Sequence, residues 1–225
     1  MYINKYHVQV LVVEAVAVVL AGLIAFVVLW ARTLSQAPRA EAFLREFTRL
    51  DVGKSTFEDA KSLAREYGGI PWWVSDNSMQ CTYQRCVFRF VFENKPLTST
   101  HLVPYTGLNA DLFAKDGTIV GRDIHYFRVS KREFSYYVSE STSPAVTPQG
   151  IRMTGLARMR VDPKGVPSAV SIRLDPSSSE DQKRRAYLID SSCLSRVLGC
   201  GGPSAIFPAA IPYRGEAVQT ETEAW

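Results

Sequence analysis

The run VQVLVVEAVAVVLAGLIAFVVLW, Val8 to Trp30, constrains this chain more than any other stretch, because its 23 residues carry a single charge, Glu14. At 1.5 Å per residue a helix of that length reaches about 34 Å, enough to cross the hydrocarbon core of a bilayer. A cleaved signal peptide would have an apolar region of about 7 to 15 residues ending in an A-x-A-like site. The nearest such pattern, Ser35-Gln36-Ala37, runs straight into Pro38. The segment therefore reads as an uncleaved transmembrane helix over 8–30 after a tail at 1–7, with Tyr2, Tyr6 and Trp30 as interfacial aromatics.

A carboxylate inside an apolar span is a functional candidate, since charge in lipid is costly. Glu14 sits roughly 9 Å in from Val8, shallow enough to be protonated or hydrated from the headgroups without a partner. An acidic residue early in an apolar N-terminal helix resembles the type IV pilins. Their precursors place a glycine just before the mature start, and Gln9 and Val10 stand in that region here, so the processing signal is absent.

The chain has 225 residues, 46% hydrophobic and 21% charged, which leaves enough apolar material beyond the anchor for one compact domain. Its net charge of +4 is spread along the sequence, too mild for a nucleic-acid footprint. The densest basic patch, Lys183-Arg184-Arg185, reads as a solvated helix face. Orientation is contested. Only Lys5 precedes the span, whereas Arg32, Arg39, Arg45 and Arg49 follow it, which by the positive-inside rule puts the domain in the cytoplasm.

Beyond the anchor, Phe43, Leu44, Phe47 and Leu50 fall at helical spacing, so residues 31–50 read as an amphipathic linker helix. The domain proper is expected over 51–213, followed by a mobile tail at 214–225. In DVGKSTFEDAKSLAREYGG, Ser55 and Glu58 fit a capping box, Phe57, Ala60, Leu63 and Ala64 make the apolar stripe, and Gly68-Gly69 end the helix. GKST lacks the first glycine of a phosphate-binding loop, since Thr48 occupies that place, and it follows a helix rather than a strand.

From Trp72-Trp73, which read as core or sheet anchors ahead of the lining of a ligand groove, the pattern turns to period two. Strands are expected over Cys86–Glu93, Leu108–Ala114, Thr118–Val129, Phe134–Val138, Ile151–Val161 and Ala169–Leu174. Asp116-Gly117 is a tight-turn signal, and Asp162-Pro163-Lys164-Gly165 marks a second hairpin. Phe88, Phe90 and Phe92 share one face of their strand, which should be central and lie under the Ser55 helix. A last helix is expected from Glu180, capped by Ser178 and weakened around Asp190–Ser192, to Gly199. The fold class is thus α+β: an N-terminal transmembrane helix, then one domain with a mainly antiparallel sheet covered by helices.

The cysteines fall in two local pairs, Cys81 with Cys86 and Cys193 with Cys200. The second spacing is too long for a zinc knuckle, and no C-x-x-C redox pair exists. Two short disulfides, each worth about 2 kcal/mol in the chain-entropy model, suit an exported domain, and this outweighs the arginine count. His101 and His125 are the histidines available as general bases, but no nucleophile elbow accompanies them. Asp111, Asp116 and Asp123 flank a turn without calcium-loop spacing. No metal or cofactor is expected.

The anchor, the Val52–Ala60 segment of V-G-x-S-T-F-x-D-A form, the paired cysteines before an aromatic strand and the late cysteine-bearing helix together resemble a group of bacterial single-pass membrane proteins that carries no known activity. Val52–Gly69 is also similar to the opening helix of the small outer-membrane assembly lipoproteins of the SmpA type. No lipobox cysteine is present, so that function is not transferred. The expected role is a noncatalytic domain on the outer side of the cytoplasmic membrane, a binding or envelope-assembly module. Its partners would be the lipid bilayer through residues 8–30 and an envelope protein, not nucleic acid. The alternative is an enzyme using a cleft near His101 or His125.

Overall fold

In the computed structural model the apolar run forms most of α1 (Lys5–Leu34), the one helix among the described residues long and apolar enough to cross a membrane. The structure describes residues 5–72, 81–98, 105–129, 134–142, 145–146, 152–153, 156–161, 167–176, 178–196, 206 and 219–222. Residues 10–25 are all exposed, and the buried stripe starts at Phe26 and Leu29, both half-buried, and Thr33, which is buried. After a break at Ser35 the chain continues as α2 (Gln36–Arg49), whose Ala37, Ala40, Phe43, Leu44 and Phe47 are buried. The amphipathic helix that follows the apolar run is thus a layer of the domain itself.

The third helix, α3 (Phe57–Tyr67), is capped by Thr56, with Asp59 closing the box, and ends on Gly68 at φ 73°. Two frames, Ser55 with Glu58 and Thr56 with Asp59, overlap by one residue here, and the structure uses the second. Ser55 serves the preceding turn instead, where its Oγ accepts from Asp51 N at 2.8 Å.

The strands are β1 (Ile70–Trp72), β2 (Arg85–Glu93), β3 (Tyr105–Lys115), β4 (Thr118–Val129), β5 (Phe134–Ser141), β6 (Ala145–Val146), β7 (Arg152–Met153), β8 (Leu156–Val161), β9 (Pro167–Leu174) and β10 (Gln219–Thr222). Lys95–Thr98 makes a helical turn, α4, and α5 spans Glu180–Ala186, followed by a 3-10 helix at Ser191–Ser195. Eight strands form one sheet in the order β1-β2-β3-β4-β5-β9-β8-β10, and β6 pairs with β7 apart from it. Pairing is antiparallel except for β5 with β9 and β8 with β10, which are parallel. The sheet is thus mainly antiparallel, as the closely spaced turns implied. The chain returns from β8 so that β9 lies along β5, a long-range parallel pairing that no local turn signal encodes. Gln219–Thr222, within the stretch expected to be mobile, add the edge strand β10.

The β3–β4 hairpin turns on Asp116 and Gly117, both at positive φ, 49° and 79°, as a two-residue primed turn requires. The loop closed by the Cys81–Cys86 disulfide docks on this turn: Tyr83 O accepts from Gly117 N and Gln84 O from Asp116 N, both at 3.0 Å. The cysteines of the first pair are therefore a clip at the mouth of β2. Cys193 is buried, and Cys200 lies outside the described residues.

Register and alternation place three rows of side chains across the inner face of the sheet. One runs Phe92, Leu108, Tyr126, Tyr136, Val170; the next runs Phe90, Ala110, Ile124, Val138, Ile172. The phenylalanine face lies under α3, as expected, and under α2 as well. Phe43 of α2 lies 4.6 Å from Phe90 and 5.0 Å from Phe92, and Phe57 of α3 lies 5.7 Å from Phe88. The strand is not central, however: β2 is second from an edge that the short β1, with Pro71 in it, covers. The side chain of Trp72, and Trp73 and the turn at 162–165, lie outside the described residues.

The late helix is shorter than its apolar pattern suggested. Its cap is Ser179, with Gln182 closing the box, and Ser178 Oγ accepts from Asp175 N instead. The chain leaves the helix after Ala186 and coils again only at the 3-10 helix, consistent with the weak pattern around Asp190.

Candidate functional site

The third inner-face row is Phe88, Leu112, Arg122, Glu140, Leu174, so an opposite-charge pair occupies two core positions. Both side chains are 5% exposed. Arg122 Nε and Nη2 donate to Glu140 Oε2 at 2.7 and 2.6 Å, and its Nη1 donates to the carbonyls of Phe47 and Leu50 at 2.9 and 2.8 Å. Those carbonyls belong to the end of α2, which the guanidinium therefore caps from the sheet. Its flat face lies 4.4 Å from the Tyr187 ring centroid.

Helix α5 closes the network from the other side. Lys183 Nζ sits 3.4 Å from Glu140 Oε1 and 3.2 Å from Glu180 Oε1. Burial works against its charge, but these carboxylates hold it above the ordinary lysine value. The Tyr187 hydroxyl donates to Glu140 Oε2 at 3.3 Å, and burial pushes its phenol well up. Tyr136 OH donates to Ala186 O at 2.6 Å, pinning the helix end to the sheet.

Above this floor opens a cavity of about 620 Å³. Its rim carries Asp51 and Lys54 from the turn before α3, and Glu180 and Arg184 from α5, with Val52, Pro176 and Leu188 as apolar walls. Lys54, Arg122, Lys183 and Arg184 face Asp51, Glu140 and Glu180, so the lining is nearly charge-balanced. It suits a ligand or partner segment carrying both signs rather than a simple anion. The Gly53–Ser55 amides are already committed, Gly53 N to Ile119 O and the Lys54 and Ser55 amides to Asp51 O, so the GKST stretch has no amides left to wrap a phosphate. Lys183, read from sequence as part of a solvated face, belongs to the cavity floor.

The outer face holds a second polar set. Arg89 grips Asp111 through two bonds of 2.8 and 2.7 Å, and Asp123 stands opposite Asp111 in the register. Only Asp116 occupies the turn; Asp111 and Asp123 are half-buried in mid-strand. Burial raises Asp123 to about 6, with Asp111 adding to the rise and the Tyr137 hydroxyl, donating at 2.6 Å, opposing it. His125 is half-buried beside them, 2.7 Å from Ser135 Oγ, and burial lowers its pKa. This histidine does not line the cavity. His101 lies outside the described residues, and Glu14 stands on the exposed part of α1, far along the chain from either polar set. Among the described residues no three His, Cys, Asp or Glu side chains group as metal ligands.

No family model, curated protein or solved structure matches this chain.

The Asp123 shift has a measurable consequence. A carboxyl whose folded pKa lies above its unfolded value binds protons better when folded, so its contribution to stability falls as pH rises from about 3.8 through about 6. Above that window the ionised group costs on the order of 3 kcal/mol. Asp123→Asn should therefore be more stable than wild type at neutral pH and lose the advantage near pH 4. His125 acts oppositely, its contribution being lost as pH falls below the ordinary histidine value, so the comparison is made between the two proteins at each pH. Chemical denaturation of both across that range checks it; equal midpoints at neutral pH would show that Asp123 is not destabilised by ionisation.

Proposed function

We propose that this protein is a single-pass protein of the cytoplasmic membrane whose α+β domain lies on the outer side and acts as a noncatalytic binding or envelope-assembly module. The observation that carries the reading is the contrast along one nearly continuous helical run. Residues 10–25 of α1 present apolar side chains to the surroundings with no protein cover, whereas α2, past a single break, is built into the core. A soluble domain would leave that apolar surface in water at a prohibitive cost. The Cys81–Cys86 disulfide favours an oxidising compartment. The arginines that argued for the cytoplasm weigh less once their work in the fold is counted. Arg39 donates to Tyr67 O and lies over the Phe92 ring, and Arg49 pairs with Glu46.

On this reading the charge-balanced cavity is the surface offered to a partner. It lies at the end of α2, about 21 Å along that helix from the break at Ser35. An enzyme built around His125 is the second reading, favoured by its contact with Ser135; covalent labelling of Ser135 by a fluorophosphonate would promote it. For the first reading, intact cells are treated with a membrane-impermeant maleimide. Labelling is expected only after an impermeant reductant has opened the disulfides. Thiols that react without reductant, and only once the membrane is permeabilised, would sink both the topology and the oxidising compartment.

A further inference from the structure

The length of α1 free of protein is shorter than the apolar run. From Val10 to Ala25, all exposed, the helix measures about 24 Å, less than a hydrocarbon core of about 30 Å. Domain packing begins at Phe26 and continues through Leu29 and Thr33, one helical face over two turns. The elements that meet this face are α4 and the 3-10 helix at Ser191–Ser195. Both are fixed to the rest of the domain. Buried Asn94 accepts from Thr106 N and Thr98 Oγ1, at 2.8 and 2.9 Å, and Ser191 Oγ donates to Ala37 O at 3.3 Å. If α1 spans, this end of the domain is drawn into the headgroup layer.

Its chemistry suits that place. Arg32, Lys95 and Arg196 are exposed there, as is Val129 at the end of β4. Two acidic groups stand at this end, Glu93, which accepts from the Tyr105 hydroxyl, and Asp190, which accepts from Ser192 N and lies 3.9 Å from Arg196. The three exposed cations outnumber them on a surface continuous with α1.

We propose that α4 and the Ser191–Ser195 helix rest on the bilayer that holds α1, with Arg32, Lys95 and Arg196 engaging the phosphates of anionic phospholipids. The domain is then held in one orientation, with its cavity facing away from the membrane, rather than swinging on a tether. This rests on the anchor reading, and the experiment separates the two. The full chain is placed in nanodiscs of phosphatidylcholine alone or mixed with phosphatidylglycerol, and amide hydrogen exchange is followed. Residues 10–25 should be protected in both. Residues 95–98 and 191–196 should exchange severalfold more slowly with the anionic lipid, about fivefold per cation engaged, and the difference should vanish at high salt and in the triple variant Arg32→Gln, Lys95→Gln, Arg196→Gln. Free exchange over residues 10–25 in both discs would overturn the anchor itself. Protection there, with identical exchange of the two contact segments in both lipids, would overturn the docked surface alone.

Discussion

Arg122→Ala should cost about 3 to 5 kcal/mol, because it removes the closest cation from the buried Glu140 carboxylate and leaves it only the looser contacts of Lys183 and the Tyr187 hydroxyl, at 3.4 and 3.3 Å. Two further losses accompany it. The carbonyls of Phe47 and Leu50 lose their donor at the end of α2, and the Tyr187 ring loses the guanidinium stacked on it. Removing both charges separates these contributions. In Arg122→Met with Glu140→Leu no unpaired charge remains, and a well-packed apolar pair can match a buried ion pair. The double variant should recover most of the loss, and whatever it fails to recover measures the cap on α2 together with the contact on Tyr187. Urea titration of the full chain in detergent, followed by circular dichroism, gives the midpoints. A single variant within about 1 kcal/mol of wild type would mean that water entering from the cavity solvates Glu140 as well as Arg122 does.

That pair shows where the sequence could be read and where it could not. The apolar helix, the Asp116-Gly117 hairpin and the Phe88, Phe90, Phe92 stripe are local signals of period and turn chemistry, and each appears in the structure at its place. Arg122 and Glu140 were passed over because a charged residue in a strand reads as facing solvent. The signal was nonetheless present. Arg122 is in phase with Ile124 and Tyr126, and Glu140 with Tyr136 and Val138, so opposite charges stood on the apolar face of two strands. Capping was legible in kind but not in position, since Ser-x-x-Glu and Thr-x-x-Asp overlap by one residue. The parallel contact of β5 with β9 was not legible at all, because it depends on how far a chain travels before returning, and so no turn residue reports it. Lys183 could join the network only once the sheet had set Glu140 beneath α5.

Phe90→Ala should cost about 3 to 5 kcal/mol through the cavity it leaves, a large share of the stability of a marginal domain. The ring is fully buried, with the Phe43 ring tilted against it at 4.6 Å and Ala110 opposite it on β3. Ala110 cannot fill the space. Gly69 marks how closely the backbone fits the ring, since a Cβ there would lie 2.6 Å from Phe90 Cε1. Relaxation into the hole would have to move α2, which Arg122 pins at its far end and α1 at its near end, so little collapse is available. Arg89→Ala tests the opposite face of the same strand. It breaks a half-buried bidentate pair and leaves Asp111 exposed enough to be hydrated, at a cost of about 1 to 2 kcal/mol. If the two substitutions destabilised the detergent-solubilised chain equally, or the phenylalanine change did nothing, the aromatic face would not be the buried one. The assignment of α2 and α3 as its cover, and with it the link between α1 and the sheet, would then fall.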